Sequence, residues 1–140
     1  MQLNGVIFDL DGTLGNTVPV SVEAIVRAVR AFTGETYTHP EIIARFGPTE
    51  QGILRQLVPE EDWEASYRRF LLEYEALHRE GGYGVFAGIP EVLDMLHTCQ
   101  VPTAIVTGKG LDSARISLRY FGLKDAFDVV KAGSLETTVK

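Results

Sequence analysis

The chain has a single cysteine, Cys99, in 140 residues, so no disulfide can form within it. That fits a reducing compartment and makes a disulfide-stapled secreted scaffold implausible. Long apolar runs are missing too. None approaches the roughly 18 residues of a membrane span, and the apolar stretch at the start is cut at Asp9 with no basic segment before it, so neither a membrane span nor a signal peptide is expected. Positive charge is in short supply: 13 Lys and Arg face 19 Asp and Glu, a formal net charge of −6. An acidic balance argues against nonspecific nucleic-acid binding, which rewards basic faces. The expectation is a cytoplasmic protein with no nucleic-acid and no membrane partner. The three histidines, His39, His78 and His97, have no metal-ligand spacing and read as structural or exposed, and Cys99 reads as a small core residue.

Hydrophobic residues make up 45% of the chain, enough to bury a core without staples. "GVIFDL", Gly5 to Leu10, is short, branched and aromatic, and predicts a buried strand. Val22, Ile25, Val26, Val29 and Phe32 then recur at helical spacing up to Gly34. Thr38 and Thr49 stand as N-caps of two short helices, and Pro59 opens a longer one with an apolar stripe from Trp63 to Leu77. After Gly81-Gly82 the pattern alternates: helix "IPEVLDMLHTC", strand "VPTAIVTG", helix "LDSARISLRYFG", strand "AFDVVKAG". Strands separated by helices of this length predict a parallel sheet. The expected architecture is an α/β core over 1–15 and 83–140, with an all-helical insertion over 16–82. Ligands of such sheets bind beyond the carboxyl ends of the strands, which places Asp9, Asp11 and the loop at Thr107 at one edge.

Two acids at the end of an apolar strand repel each other unless something offsets them. A carboxylate can attack phosphorus, a second can protonate the leaving oxygen, and a hard cation such as Mg²⁺ can reduce the repulsion. Gly12 lets the backbone turn closely beneath a phosphoryl group. The local pattern has another reading, since Asp-Gly between alternating apolar residues is also a β-hairpin signal. In that reading Thr13 and Leu14 begin a short return strand.

"FDLDGTL" resembles the first motif of the haloacid dehalogenase superfamily, D-x-D-G-T-L, with every motif residue present. "AIVTG" resembles the second motif, and Lys140 falls where the third-motif lysine is expected. The resemblance covers the whole chain and preserves motif order. It implies a Rossmann-like three-layer core with a helical cap, in a phosphoglycolate-phosphatase-like branch. It also implies a Mg²⁺-dependent phosphatase acting on a small phosphorylated metabolite through an aspartyl phosphate. Asp9 is then the nucleophile and a metal ligand, and Asp11 the general acid/base with its carbonyl on the metal. Thr107 and the backbone after it, from Gly108, hold phosphoryl oxygens, while Lys140 stabilises charge. A phosphomutase is the nearest rival within the superfamily, and a receiver-type domain or a non-catalytic assembly module stands outside it.

Around these, several residues carry two readings. Lys109 is either a contact to phosphate or substrate or a solvated loop lysine. Arg45, in a Gly/Pro-punctuated loop, is either a substrate contact or an exposed charge, and Glu50 in the same loop is a weaker candidate still. Asn16 and Thr17 either line the hinge into the helical segment or cap the helix that follows, and capping is the reading adopted. The family's fourth motif, an acidic cluster downstream of the lysine, has no counterpart up to Lys140. The expectation is therefore a truncated core, weak metal binding, little turnover by the chain alone, and self-association through an exposed edge of the first strand.

Overall fold

A computed structural model describes residues 3–135. Strand β1 (Val6–Phe8) leads into a tight turn and a run of helices: α1 (Val18–Thr33), α2 (His39–Ile43), α3 (Glu50–Leu57) and, after a 3₁₀ turn over Glu60–Asp62, α4 (Trp63–Glu80). Alternation follows, with α5 (Ile89–Thr98), β2 (Thr103–Gly110), α6 (Leu111–Tyr120) and β3 (Val129–Gly133). The three strands form one sheet in the order β1-β2-β3, and both pairs are parallel. Phe8 sits opposite Ile105, and Ile105 opposite Val130.

The hairpin reading of Asp11-Gly12 is overturned. β1 pairs with β2, some hundred residues away, rather than with a return strand. Instead, the Leu10 carbonyl accepts from Thr13 N–H at 3.2 Å and Leu14 N–H at 3.0 Å, and Gly12 supplies the left-handed φ of 74° that this turn needs. The strand is also shorter than the apolar run, so Asp9 and Asp11 lie just past its carboxyl end. Leu10 and Leu14, from this turn, are fully buried and anchor a core with Leu93, Ile105 and Leu118.

A second apolar cluster lies among the helices. Ile25 and Val29 of α1 meet Phe70 and Tyr74 of α4, and all four are fully buried. The helix signals read from sequence hold: Gly34 ends α1 in the left-handed conformation at φ 74°, Thr38 and Glu41 form a capping box on α2, and Thr49 caps α3. The two clusters are joined by polar contacts. Tyr74 Oη lies 2.6 Å from Ser117 Oγ, and Tyr67 Oη donates to Asp112 at 3.1 Å.

β2 carries the decisive pattern. Thr103, Ile105, Thr107 and Lys109 are all buried and alternate with less buried neighbours, although the pairing with β3 becomes irregular between Val106 and Gly110. The opposite face is open, with Ile7 71% and Val129 58% exposed, and β1 is the edge of the sheet among the described residues. Cys99 is a correction: it is exposed at the end of α5 rather than packed in the core. No helix of the described residues is long and apolar enough to cross a membrane.

Candidate active site

A cleft of about 260 Å³ opens where the β1 turn, the end of β2 and the loop before α3 converge. Asp9, Asp11, Thr107, Gly108 and Lys109 all line it, as the placement of the strand ends requires. Asp9 is exposed, and its Oδ1 accepts from the next residue's own N–H at 2.7 Å. Thr107 Oγ1 accepts from Lys109 N–H at 3.2 Å, which leaves the hydroxyl proton to donate.

Lys109 lines the cleft as a buried residue. Its side chain is 1% exposed, so the solvated-loop reading is excluded. Its ammonium donates to Ser21 Oγ at 2.7 Å and Glu50 Oε1 at 3.0 Å, and Asp11 Oδ1 lies 3.2 Å away. The Tyr74 ring lies beneath it, 4.9 Å to the centroid, close enough for a cation–π contact. Burial works against this charge, but Tyr74 and the carboxylates of Glu50 and Asp11 outweigh it and raise the Lys109 pKa.

Glu50 is the residue that sequence reasoning undervalued. It is 5% exposed and sits at the first turn of α3, where the helix dipole favours an acid. Its carboxylate also accepts from Gly110 N–H at 2.9 Å and Ser113 Oγ at 2.8 Å. Burial alone pushes its carboxyl up; Lys109, its own N–H and that of Gly110 more than offset this and hold it below the usual carboxylate range. The signal for it was local: an acid directly after an N-cap threonine, in a loop punctuated by Gly47 and Pro48.

Other candidates fall elsewhere. Arg45 does not line the cleft: its guanidinium lies 5.2 Å from the Tyr37 ring centroid and donates to the Glu41 carbonyl. Gly12 shapes the turn without lining the cleft. Thr17 stands at the N-cap of α1 but makes no side-chain cap bond; its hydroxyl donates to Asp11 Oδ1 instead and orients that carboxylate. Lys140 lies outside the described residues.

The family model for haloacid dehalogenase-like hydrolases matches residues 6–140. The chain belongs to the haloacid dehalogenase-like hydrolases. A pyrophosphatase PpaX of Halalkalibacterium halodurans is 31% identical over 134 residues, covering 94% of this chain and 60% of that protein. A phosphoglycolate phosphatase of Chromobacterium violaceum is 28% identical, over 94% of this chain and 63% of its own length. Among solved structures, CbbY from Rhodobacter sphaeroides in complex with phosphate superimposes with a TM-score of 0.79 at 19% identity, covering 94% of this chain and 64% of that one. A hydrolase from Pseudomonas syringae gives 0.77 at 24% identity, over 98% and 64%. The fold is thus the α/β fold of these hydrolases, and the chain spans about 60% of the length of the curated relatives it matches.

Behind the cleft, His78 is 5% exposed; Nε2 lies 3.1 Å from Ser117 Oγ, and Nδ1 has no partner among the described residues. Burial and then the charge of Lys109 lower its pKa to about 4. The unfolded chain, with an ordinary histidine, binds this proton first, so acid favours unfolding. Stability is expected to fall as pH drops from about 6.5 to about 4 and to lose nothing further to this group below that. Thermal melts across this window should show a shallower fall for His78→Gln than for the unaltered chain.

Proposed function

We propose that the chain acts as a Mg²⁺-dependent phosphatase for small phosphate monoesters, with Asp9 as its nucleophile. The observation that carries this reading is the convergence of Asp9, Asp11 and Thr107 on one cleft at the carboxyl ends of parallel strands. In it, the helical segment over 16–82 is a cap that covers the substrate, and 1–15 with 83–140 is the core.

The residues fit the ion. Asp9 would offer a carboxylate oxygen and Asp11 its main-chain carbonyl, both from the lining of one cleft, and Mg²⁺ is commonly held by one or two protein carboxylates together with phosphate oxygens and water. No group of three His, Cys, Asp or Glu able to hold a metal gathers among the described residues, so binding without substrate is expected to be weak. Bound there, the ion would neutralise charge between the carboxylates and the phosphate.

The remaining work falls to the chain. An Asp9 oxygen attacks phosphorus in line with the ester oxygen, whose bond to phosphorus breaks. Asp11, oriented by Thr17, gives the departing oxygen its proton. Water then attacks the aspartyl phosphate, Asp11 takes its proton, and cleavage of the Asp9–phosphorus bond releases inorganic phosphate. The Thr107 hydroxyl and the Gly108 backbone supply donors to the equatorial oxygens, and Lys140 adds positive charge.

A screen of small phosphate esters with and without Mg²⁺ tests this reading. Slow, metal-dependent release of phosphate, rising through millimolar Mg²⁺, is the expected result. Equal release after chelation would sink it.

A further inference from the structure

We infer that this cleft selects phosphate esters whose leaving group is small and uncharged, an alcohol without a carboxylate or second phosphate. This rests on the phosphatase reading above and specifies its substrate class.

The argument begins with charge. Asp9, Asp11 and Glu50 line the cleft, and the only cation lining it among the described residues is Lys109. An ammonium has three N–H donors. Here three acceptors surround it: Ser21 Oγ at 2.7 Å, Glu50 Oε1 at 3.0 Å and Asp11 Oδ1 at 3.2 Å. Ser21 and Glu50 take two of its hydrogen bonds and Asp11 pairs with its charge, and the side chain is 1% exposed, so the ammonium offers almost no surface to a substrate. The lysine therefore neutralises the protein's own acids and does not serve as an anion receptor.

The nearest alternative is also occupied. Arg45 is held on the Tyr37 ring and the Glu41 carbonyl, away from the lining. Around Glu50, the cleft wall is built from Ile25, Ile53 and Phe46. An anion placed against these side chains loses water and gains no partner, while facing a carboxylate. A neutral hydroxyl meets no such penalty. Ser21 Oγ, which accepts from Lys109, keeps its own proton to donate to it. Phosphate itself sits by Asp9 and Thr107 in the reading above.

Two esters of nearly equal size separate the cases: 2-hydroxyethyl phosphate ends in a hydroxyl, and phosphoglycolate ends in a carboxylate. With saturating Mg²⁺, kcat/KM for the hydroxyl ester is expected to exceed that for phosphoglycolate by about tenfold or more. The ratio does not depend on the absolute rate. A second readout avoids turnover: with the nucleophile removed in Asp9→Asn, calorimetric titration should show the hydroxyl ester binding more tightly, by a similar factor. Glu50→Gln removes one negative charge and should narrow the ratio; a folded Glu50→Gln protein with an unchanged ratio would overturn the inference. If that variant fails to fold, the comparison in the unaltered protein still decides. A preference for phosphoglycolate there overturns this inference alone. Failure to hydrolyse either ester, or p-nitrophenyl phosphate, overturns the phosphatase reading and this inference with it.

Discussion

Lys109→Met is expected to lower folding stability by about 3–5 kcal/mol, the cost of removing one partner from a buried ion pair. The magnitude comes from what is left behind. Glu50 has a side-chain exposure of only 7%, and without the ammonium it keeps Ser113 and the Gly110 N–H but no cation. Asp11 loses its cation as well and keeps only Thr17 as a side-chain partner among the described residues. The methionine fills much of the lysine's volume and still packs on the Tyr74 ring, so cavity formation contributes little. Urea unfolding of four proteins measures the effect: the unaltered chain, Lys109→Met, Glu50→Gln and the double variant. The double variant should be less unstable than the sum of the single changes, with a coupling above about 1 kcal/mol. A Lys109→Met cost below about 1 kcal/mol would mean that the loop before α3 opens in solution and lets water reach the pair.

That network explains which parts of the molecule were readable from the sequence. Helix and strand identities follow local rules, and these were satisfied locally: Gly34 stops α1, Thr49 caps α3, and the apolar stripe of α4 faces α1. Strand ends follow from topology, so the sequence alone puts Asp9, Asp11 and Thr107 at one edge, and they line one cleft. The missed features are long-range. Glu50 and Lys109 are 59 residues apart, and Ser21 and Lys109 are 88 apart; no periodicity encodes such a meeting. Lys109 itself was half legible. Thr103, Ile105 and Thr107 already mark one face of β2, and extending that alternation past Gly108 puts Lys109 on the same face. The glycine suggested a loop, and the strand runs through it to Gly110. Thr17 misled for a different reason. A threonine ahead of a helix is ordinarily a cap, but the Asp11 carboxylate competes for its hydroxyl and wins. Arg45 looked like a cleft residue because its loop is punctuated by Gly and Pro, yet a neighbouring aromatic ring holds it.

Asp9→Asn is expected to reduce phosphate release by about 10⁴-fold or more, the scale seen when a covalent nucleophile is removed. The amide keeps the shape and the hydrogen bond that Asp9 accepts from the adjacent Leu10 N–H, and the residue is exposed in the lining of the cleft. Stability should therefore change by no more than about 0.5 kcal/mol, as for surface changes that leave no group unpaired. The pairing of a large kinetic loss with an unchanged melt is what separates a nucleophile from a structural acid. Asp11→Asn supplies the contrast. That change loses a charge beside Lys109 and a proton carrier, so its cost depends on how badly the leaving oxygen needs a proton. With p-nitrophenyl phosphate, whose leaving group departs as a stable anion, the Asp11→Asn loss in the first step should be much smaller than with an alkyl phosphate. Asp9→Asn should be damaging with both, because the attacking carboxylate is needed whatever the leaving group. An Asp9→Asn protein that keeps more than about a hundredth of the original rate would place the attacking group elsewhere, and the strand-end carboxylates would then serve only to hold charge.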